Sequence, residues 1–254
     1  MEVALVQTML HWEDPDANRT HLESFLAPLP GKTDLIVLPE MFTTGFTMEP
    51  ANIAAQEAAR TLEWMRAWAG KADAALVGSL VWPEGPAYRN RLVFMMPDGT
   101  YSTYDKRHTF TLAGENRVYE RGTQRVLVPF RGFTFCPLIC YDLRFPVWSR
   151  YSEPYDVLIY VANWPEVRIS AWDTLLRARA IENMSYVVGV NRLGSDPNKH
   201  RYPGHSAAYD SLGAALAFSG KEEVLRVRLS RAHLEETRSK LRFLDDRDSF
   251  TPGW

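Results

Sequence analysis

Three strand-like segments of this chain each break off on a reactive side chain. Leu35-Ile36-Val37-Leu38 stops at Pro39-Glu40, Tyr101-Ser102-Thr103-Tyr104 at Asp105-Lys106, and Phe133-Thr134-Phe135-Cys136-Pro137-Leu138-Ile139 at Cys140. Short runs rich in β-branched and aromatic residues read as strands. Strand ends on one edge of an α/β sheet are where loops converge and sites gather. The third segment is the sharpest. It follows Gly132 and gives way to a helical turn, with Asp142 as a cap and Pro146 where a missing N–H costs little. Such a strand-to-helix turn pushes a side chain out of the sheet and aims free backbone N–H groups at it. Positive helix-terminal potential also lowers a thiol pKa and favours the thiolate. The residues alone leave two readings of Cys140 open, a nucleophile or a buried apolar cysteine.

Pattern and turn chemistry predict further strands at residues 2–7, 74–82, 91–96, 155–162, 185–191, 205–209, 214–218 and 222–229. Helices are predicted at 15–29, 51–71, 170–184 and 231–241, the third with Trp172, Leu175, Leu176 and Ile181 on or near one face. The charged face of the last is expected to meet water. Pro97-Asp98-Gly99 carries a preferred hairpin pair, whereas 107–122, which includes Glu115, and 192–204 read as long polar loops. Helices cluster in pairs between groups of strands. That favours two sheets packed face to face with helices outside over a regular β/α barrel, in one domain spanning 1–254 with a polar tail from about 241.

The chain has 254 residues, 46% hydrophobic and 24% charged, which excludes disordered and fibrous classes. A net charge of −2 gives no footprint for nucleic acid or an acidic membrane. No apolar run approaches the roughly 18–20 residues of a spanning helix. Met1-Glu2-Val3-Ala4-Leu5 lacks the basic start of a secretory signal, so a cytoplasmic location is expected. Cys136 and Cys140 are the only cysteines. Along one strand their Cα atoms would lie about 13 Å apart, beyond the roughly 7 Å limit for a disulfide. Cys136 is therefore expected to fill the core, and no histidine pair has metal-ligand spacing on a predicted helix.

A Glu, a Lys and a Cys brought together can perform acyl transfer: the carboxylate takes the thiol proton, and the ammonium holds the oxyanion. Leu38-Pro39-Glu40, Tyr104-Asp105-Lys106-Arg107-His108 and Cys140-Tyr141-Asp142-Leu143-Arg144-Phe145-Pro146 resemble the three catalytic motifs of the nitrilase, or carbon–nitrogen hydrolase, superfamily. Gly114-Glu115 resembles its second glutamate. The likeness continues through Arg177-Ala178-Arg179-Ala180-Ile181-Glu182-Asn183, Asn191-Arg192-Leu193-Gly194 and Gly204-His205-Ser206. Phe42-Thr43-Thr44-Gly45-Phe46, Ala162-Asn163-Trp164-Pro165 and the stretch from Phe243 to Phe250 resemble the omega-amidase branch, whose substrates are amides of 2-oxo acids.

The resemblance implies an α/β, four-layer αββα sandwich, a Glu40–Lys106–Cys140 triad supported by Glu115, an oxyanion-binding N–H at Tyr141, no cofactor and a two-fold homodimer. It implies a small-molecule amide as substrate, with a pocket walled by Phe46, Trp82, Asn163 and Trp164. The loop Thr109-Phe110-Thr111-Leu112-Ala113 is expected at that pocket and is more polar than the family's apolar loop. Arg144 and Arg168 are the candidates to anchor a substrate carboxylate; the alternative for Arg144 is a structural ion pair. Aliphatic amides or N-carbamoyl compounds would use the same mechanism. A thiol redox sensor and a silent interaction scaffold are the rivals from other classes.

Overall fold

The structure, a computed structural model, describes residues 1–249; Phe250, the last residue of the C-terminal motif, lies outside them. Among the described residues the chain runs β1 (Glu2–Gln7), α1 (Pro15–Leu26), β2 (Leu35–Val37), α2 (Glu57–Ala72), β3 (Ala75–Glu84), β4 (Ala87–Met95) and β5 (Tyr101–Asp105). It continues through α3 (Glu115–Val118), β6 (Val128–Phe130), β7 (Phe133–Ile139), α4 (Pro146–Ser149), β8 (Val157–Ala162), α5 (Ile169–Asn183) and β9 (Tyr186–Asn191). The last elements are β10 (Leu193–Ser195), β11 (Arg201–Pro203), β12 (Ser206–Tyr209), β13 (Ala215–Ser219), β14 (Glu223–Arg228) and α6 (Arg231–Leu241).

Two six-stranded sheets form, ordered β14-β1-β2-β3-β4-β5 and β13-β12-β9-β8-β7-β6. Side chains alternate across each strand, and the alternation builds the layers. Val3, Leu5, Leu35, Val37, Val77, Leu92 and Phe94 point inward to meet Phe133, Phe135 and Ile139 of the other sheet. Ala4, Val6, Ile36, Leu76 and Val93, one position out of phase, pack under Leu22 and Leu26 of α1 and Met65 and Ala69 of α2. On the far side α5 and α6 cover the second sheet with Trp172, Leu176, Ala180 and Leu234. The result is the expected αββα sandwich.

β2 runs parallel to β1 and β3, and β7, β8 and β9 are mutually parallel. β5 returns in the direction of β3 after two antiparallel pairings. The ends that carry Glu40, Lys106, Cys140 and Asn163 therefore leave their sheets where loops are free to meet.

Several details differ from the sequence reading. The 51–71 helix starts only at Glu57, because Pro50–Asn52 closes a separate 3-10 turn and Ile53 is extended. The polar stretch 192–204 contains the β10–β11 hairpin, and 107–122 contains a 3-10 turn and α3. Ile181 is half-exposed rather than on the buried face of α5, which carries Trp172, Leu176, Arg179, Ala180 and Asn183 at helical spacing. The charged residues of α6 do not simply meet water. Arg238 reaches Asp156 at 3.0 Å and the Tyr155 and Met184 carbonyls at 2.7 and 2.8 Å, and Arg231 pairs with Asp156 too. No helix among the described residues is long and apolar enough to cross a membrane.

The close seat of α5 on the second sheet depends on Gly189 in the middle of β9. A Cβ there would lie 2.5 Å from Leu176 Cδ1 and 2.9 Å from Trp172. Gly189→Ala should therefore destabilise the fold by about 1–3 kcal/mol through overpacking. Urea unfolding checks this; an unchanged midpoint would mean that α5 is not held this closely.

Candidate active site

Sheet parity explains why the charged side chains turn inward. Asn90 shares the inner face of β4 with Leu92 and Phe94, and Lys106 continues the inner face of Tyr104 just past β5. The Lys106 N–H donates to the Asn90 carbonyl at 3.0 Å, which extends the β4–β5 ladder by one step. Neighbouring charges of opposite parity are drawn off outward: Arg91 holds Asp105 at 2.6 and 2.9 Å. Glu40 follows β2, and the chain turns at once, with Met41 in the left-handed region at φ 45° and its N–H donating to Ser79 Oγ at 2.9 Å.

At the centre is a buried ammonium between two buried carboxylates. Lys106 Nζ donates to Glu40 Oε1 at 2.8 Å and to both Glu115 oxygens at 3.0 Å, and all three residues are 1% exposed or less. Asn90 Nδ2 donates to Glu40 Oε1 at 2.8 Å and reaches Glu115 Oε1 at 3.4 Å. The Asn163 N–H donates to Glu40 Oε2 at 2.9 Å while its side chain holds the Glu40 carbonyl at 2.6 Å. Phe110 N–H donates to Glu115 Oε2. Each carboxylate is thus fixed by backbone N–H and amide donors as well as by Lys106.

Burial drives the Lys106 ammonium toward losing its proton, but Glu115 and Glu40 outweigh it, and its pKa lies above the ordinary value. Burial raises the Glu115 carboxyl, and so does Glu40, against the pull of Lys106.

Cys140 completes the group from the other sheet, its thiol close enough to the Glu40 carboxylate and the Lys106 ammonium to feel both charges. It stands at φ 42°, a left-handed conformation that costs a non-glycine residue about 1–3 kcal/mol and persists only where surroundings enforce it. The turn after it is a 3-10 helix, Cys140–Arg144, clamped by Arg179 of α5 on the Leu143 carbonyl at 2.6 Å. The Tyr141 N–H belongs to the first turn, where intrahelical acceptors are lacking. The expected lowering of the thiol pKa is not found. Burial, and then the Glu40 carboxylate, push the thiol well above its ordinary range, and Lys106 only partly offsets them.

A cavity of about 240 Å³ opens over Cys140 and Lys106. Phe46, Asn163, Trp164, Arg144, Arg168 and Tyr141 line it as expected, and Phe110, Leu112 and Ala113 bring in the loop after His108. Trp82 does not reach it. On β3 it falls on the helix-facing side with Leu76 and Leu80, packs against that outer core, and lies beside the Arg91 guanidinium at 4.9 Å. Phe42 likewise turns to the helix side, 5.9 Å from Trp64. Arg144 makes no ion pair among the described residues; its guanidinium lies over Trp164, and that of Arg168 over Phe110, each at 4.9 Å. His205 is structural, with Nδ1 3.0 Å from Asp173.

Sequence reasoning missed Asn90 and the β10–β11 hairpin, which supplies Asp196, His200 and Tyr202 to the pocket. Asp196 Oδ2 accepts from Tyr202 at 2.9 Å and lies 3.0 Å from His200 Nδ1. The motif around Asn191 serves the wall rather than the chemistry: Asn191 Oδ1 accepts from the Trp164 N–H at 2.7 Å, and its Nδ2 holds the Trp164 and Gly204 carbonyls.

The two cysteines should separate in reactivity. Cys136 is fully buried in β7, its thiol pushed up to about 12 by burial, whereas Cys140 faces the cavity. Iodoacetamide should modify Cys140 in the folded protein and reach Cys136 only after unfolding, as read by peptide mass mapping. Equal labelling of both under native conditions would contradict this geometry.

The family model for carbon–nitrogen hydrolases matches residues 2–239. The chain is 44% identical to omega-amidase YafV of Yersinia enterocolitica over 98% of both chains, and 31% identical to a 2-oxoglutaramate amidase of Bacillus subtilis over 96% of both. Its fold superposes with a TM-score of 0.96, at 40% identity, on a carbon–nitrogen hydrolase superfamily protein of Xanthomonas campestris that carries an arsenic adduct in its active site, covering 100% of this chain and 99% of that one. With its buried Glu-Lys-Glu cluster beside a strand-end cysteine, the chain belongs to the carbon–nitrogen hydrolase family.

Proposed function

We propose that the protein is an omega-amidase, a cysteine-dependent amidohydrolase that cleaves the terminal amide of a small 2-oxo acid such as 2-oxoglutaramate or 2-oxosuccinamate. The observation that carries the reading is the buried Glu40–Lys106–Glu115 cluster beside Cys140, under a cavity lined by two guanidinium groups, Arg144 and Arg168, that make no ion pair among the described residues. The similarity to omega-amidase YafV and to a 2-oxoglutaramate amidase supports the same substrate class.

In this reading Glu40 takes the Cys140 proton as Sγ attacks the amide carbon. Lys106 Nζ and the Tyr141 N–H hold the oxyanion. Glu40 returns the proton to nitrogen, the C–N bond breaks and ammonia leaves a thioester on Cys140. Glu40 then takes a proton from water, whose oxygen attacks the thioester, and the proton returns to sulfur as the dicarboxylate departs. Glu115 and Asn90 keep Lys106 and Glu40 in register. A carboxylate buried in so small a pocket needs a cationic partner, and Arg144 and Arg168 supply it. The rest of the proposal is a domain spanning 1–254 with a tail from about 241, a two-fold homodimer and a cytoplasmic location. Half-exposed Ile181, which lies against Gly213, and half-exposed Leu212, next to Gly213 in the chain, support an apolar contact on that face.

Glu40 and Lys106 can be told apart. Glu40→Gln should lower kcat by at least about 10²-fold, since it loses the base for both half-reactions. Lys106→Ala should cost about 10²–10³-fold in kcat. Near-normal turnover in either variant would overturn the assignment at that residue.

Substrate choice is decided by ammonia release from 2-oxoglutaramate, 2-oxosuccinamate, glutamine and asparagine. The amino acids would set an ammonium where the oxo group belongs, near the two guanidinium groups, so the oxo acids should win by roughly 30- to 1,000-fold in kcat/KM. A preference for aliphatic amides or carbamoyl compounds would overturn the omega-amidase reading and leave the cysteine mechanism standing.

A further inference from the structure

Lys106 and Cys140 come from different sheets, so no strand ladder fixes the distance between them. One side chain spans the gap. Asp142, fully buried, lies two residues past Cys140 and outside the pocket lining. Its Oδ2 accepts from Tyr104 Oη at 2.7 Å and from the Ile139 N–H at 3.0 Å. Its Oδ1 accepts from the His108 N–H at 3.0 Å and lies 2.8 Å from His108 Nδ1. Tyr104 precedes Lys106 by two residues and His108 follows it by two, while Ile139 immediately precedes Cys140. One carboxylate therefore grips the chain on both sides of Lys106 and on both sides of the nucleophile.

The partners are themselves held. Tyr104 Oη accepts from Trp148 Nε1 at 2.8 Å and from the Arg107 N–H at 3.2 Å. The His108 ring stacks on Phe145 with centroids 3.8 Å apart and planes 7° from parallel. Phe145 and Trp148 lie just beyond the Cys140 turn, so the network closes on the second sheet's side again. A carboxylate is suited to this place because it accepts at every position and needs no donor of its own.

We propose that Asp142 is a positioning residue that sets Lys106 against Cys140, and so fits the oxyanion site to the tetrahedral intermediate. This rests on the reading of Lys106 as an oxyanion donor. Asp142 touches neither the pocket nor the reacting atoms, so its loss acts on the transition state through Lys106 rather than on substrate binding. Asn in its place would set an N–H against a donor and release one side of the grip.

The test is a double-mutant cycle on Asp142→Asn and Lys106→Ala, with kcat, KM and urea unfolding measured for each. Asp142→Asn alone should lower kcat by about 10²-fold, the scale of a 1 Å misplacement, with KM within about twofold. In the Lys106→Ala background the same change should cost no more than about twofold, because the group it positions is already gone. Tyr104→Phe removes one leg of the network and should show the same non-additive pattern with a smaller loss; it carries the test if Asp142→Asn does not fold. Equal losses in both backgrounds, a KM that rises as kcat falls, or unchanged kcat would overturn the proposal. Near-normal turnover in Lys106→Ala alone would instead overturn the oxyanion reading beneath it.

Discussion

A single ammonium buried between two carboxylates governs the rest of this structure. Removing Lys106, Glu40 and Glu115 from water would be costly for each alone, and the cluster holds only because each charge meets others at hydrogen-bond distance. One ammonium cannot satisfy two carboxylates. The remaining lone pairs are met by donors that cannot lose a proton: Asn90 Nδ2 and the Asn163 and Phe110 N–H groups. That demand reaches into the fold, because Asn90 needs β4 in one register and Asn163 must leave β8 at one point. Glu40 then keeps one face toward the Cys140 thiol, which burial and the same carboxylate hold in its protonated form.

Glu40, Lys106 and Cys140 were legible in the sequence because each interrupts a strand pattern with a charge or a thiol, and a strand has only two ends. Glu115 was legible only through its motif, since the loop around it has no period. The four-layer architecture followed from paired helices between strand groups, and parity within β1 to β4 then distributed the apolar residues between the inner and outer cores.

What stayed hidden depends on single-residue parity or on contacts distant in sequence. Asn90 lies just before the strand expected at 91–96, and only the earlier start of β4 puts it in phase with Leu92 and Phe94 and turns it inward. Trp82 failed for the same reason in reverse, as the phase of β3 sends it to the helix side. The β10–β11 hairpin is short, polar and without alternation, so the pocket wall at Asp196, His200 and Tyr202 left no local signal. The helix-terminal argument for an acidic thiol was sound locally. It lost to burial and to a carboxylate contributed from 100 positions earlier in the chain.

The central claim is that the reaction passes through an acyl group on Cys140. Rapid acid quench of enzyme turning over 2-oxoglutaramate, followed by intact mass and peptide mapping, tests it directly. The account predicts a transient mass increase equal to the substrate acyl group, located on the Cys140 peptide and removed by hydroxylamine. Turnover with no adduct at any quench time, or an adduct on another residue, would contradict it.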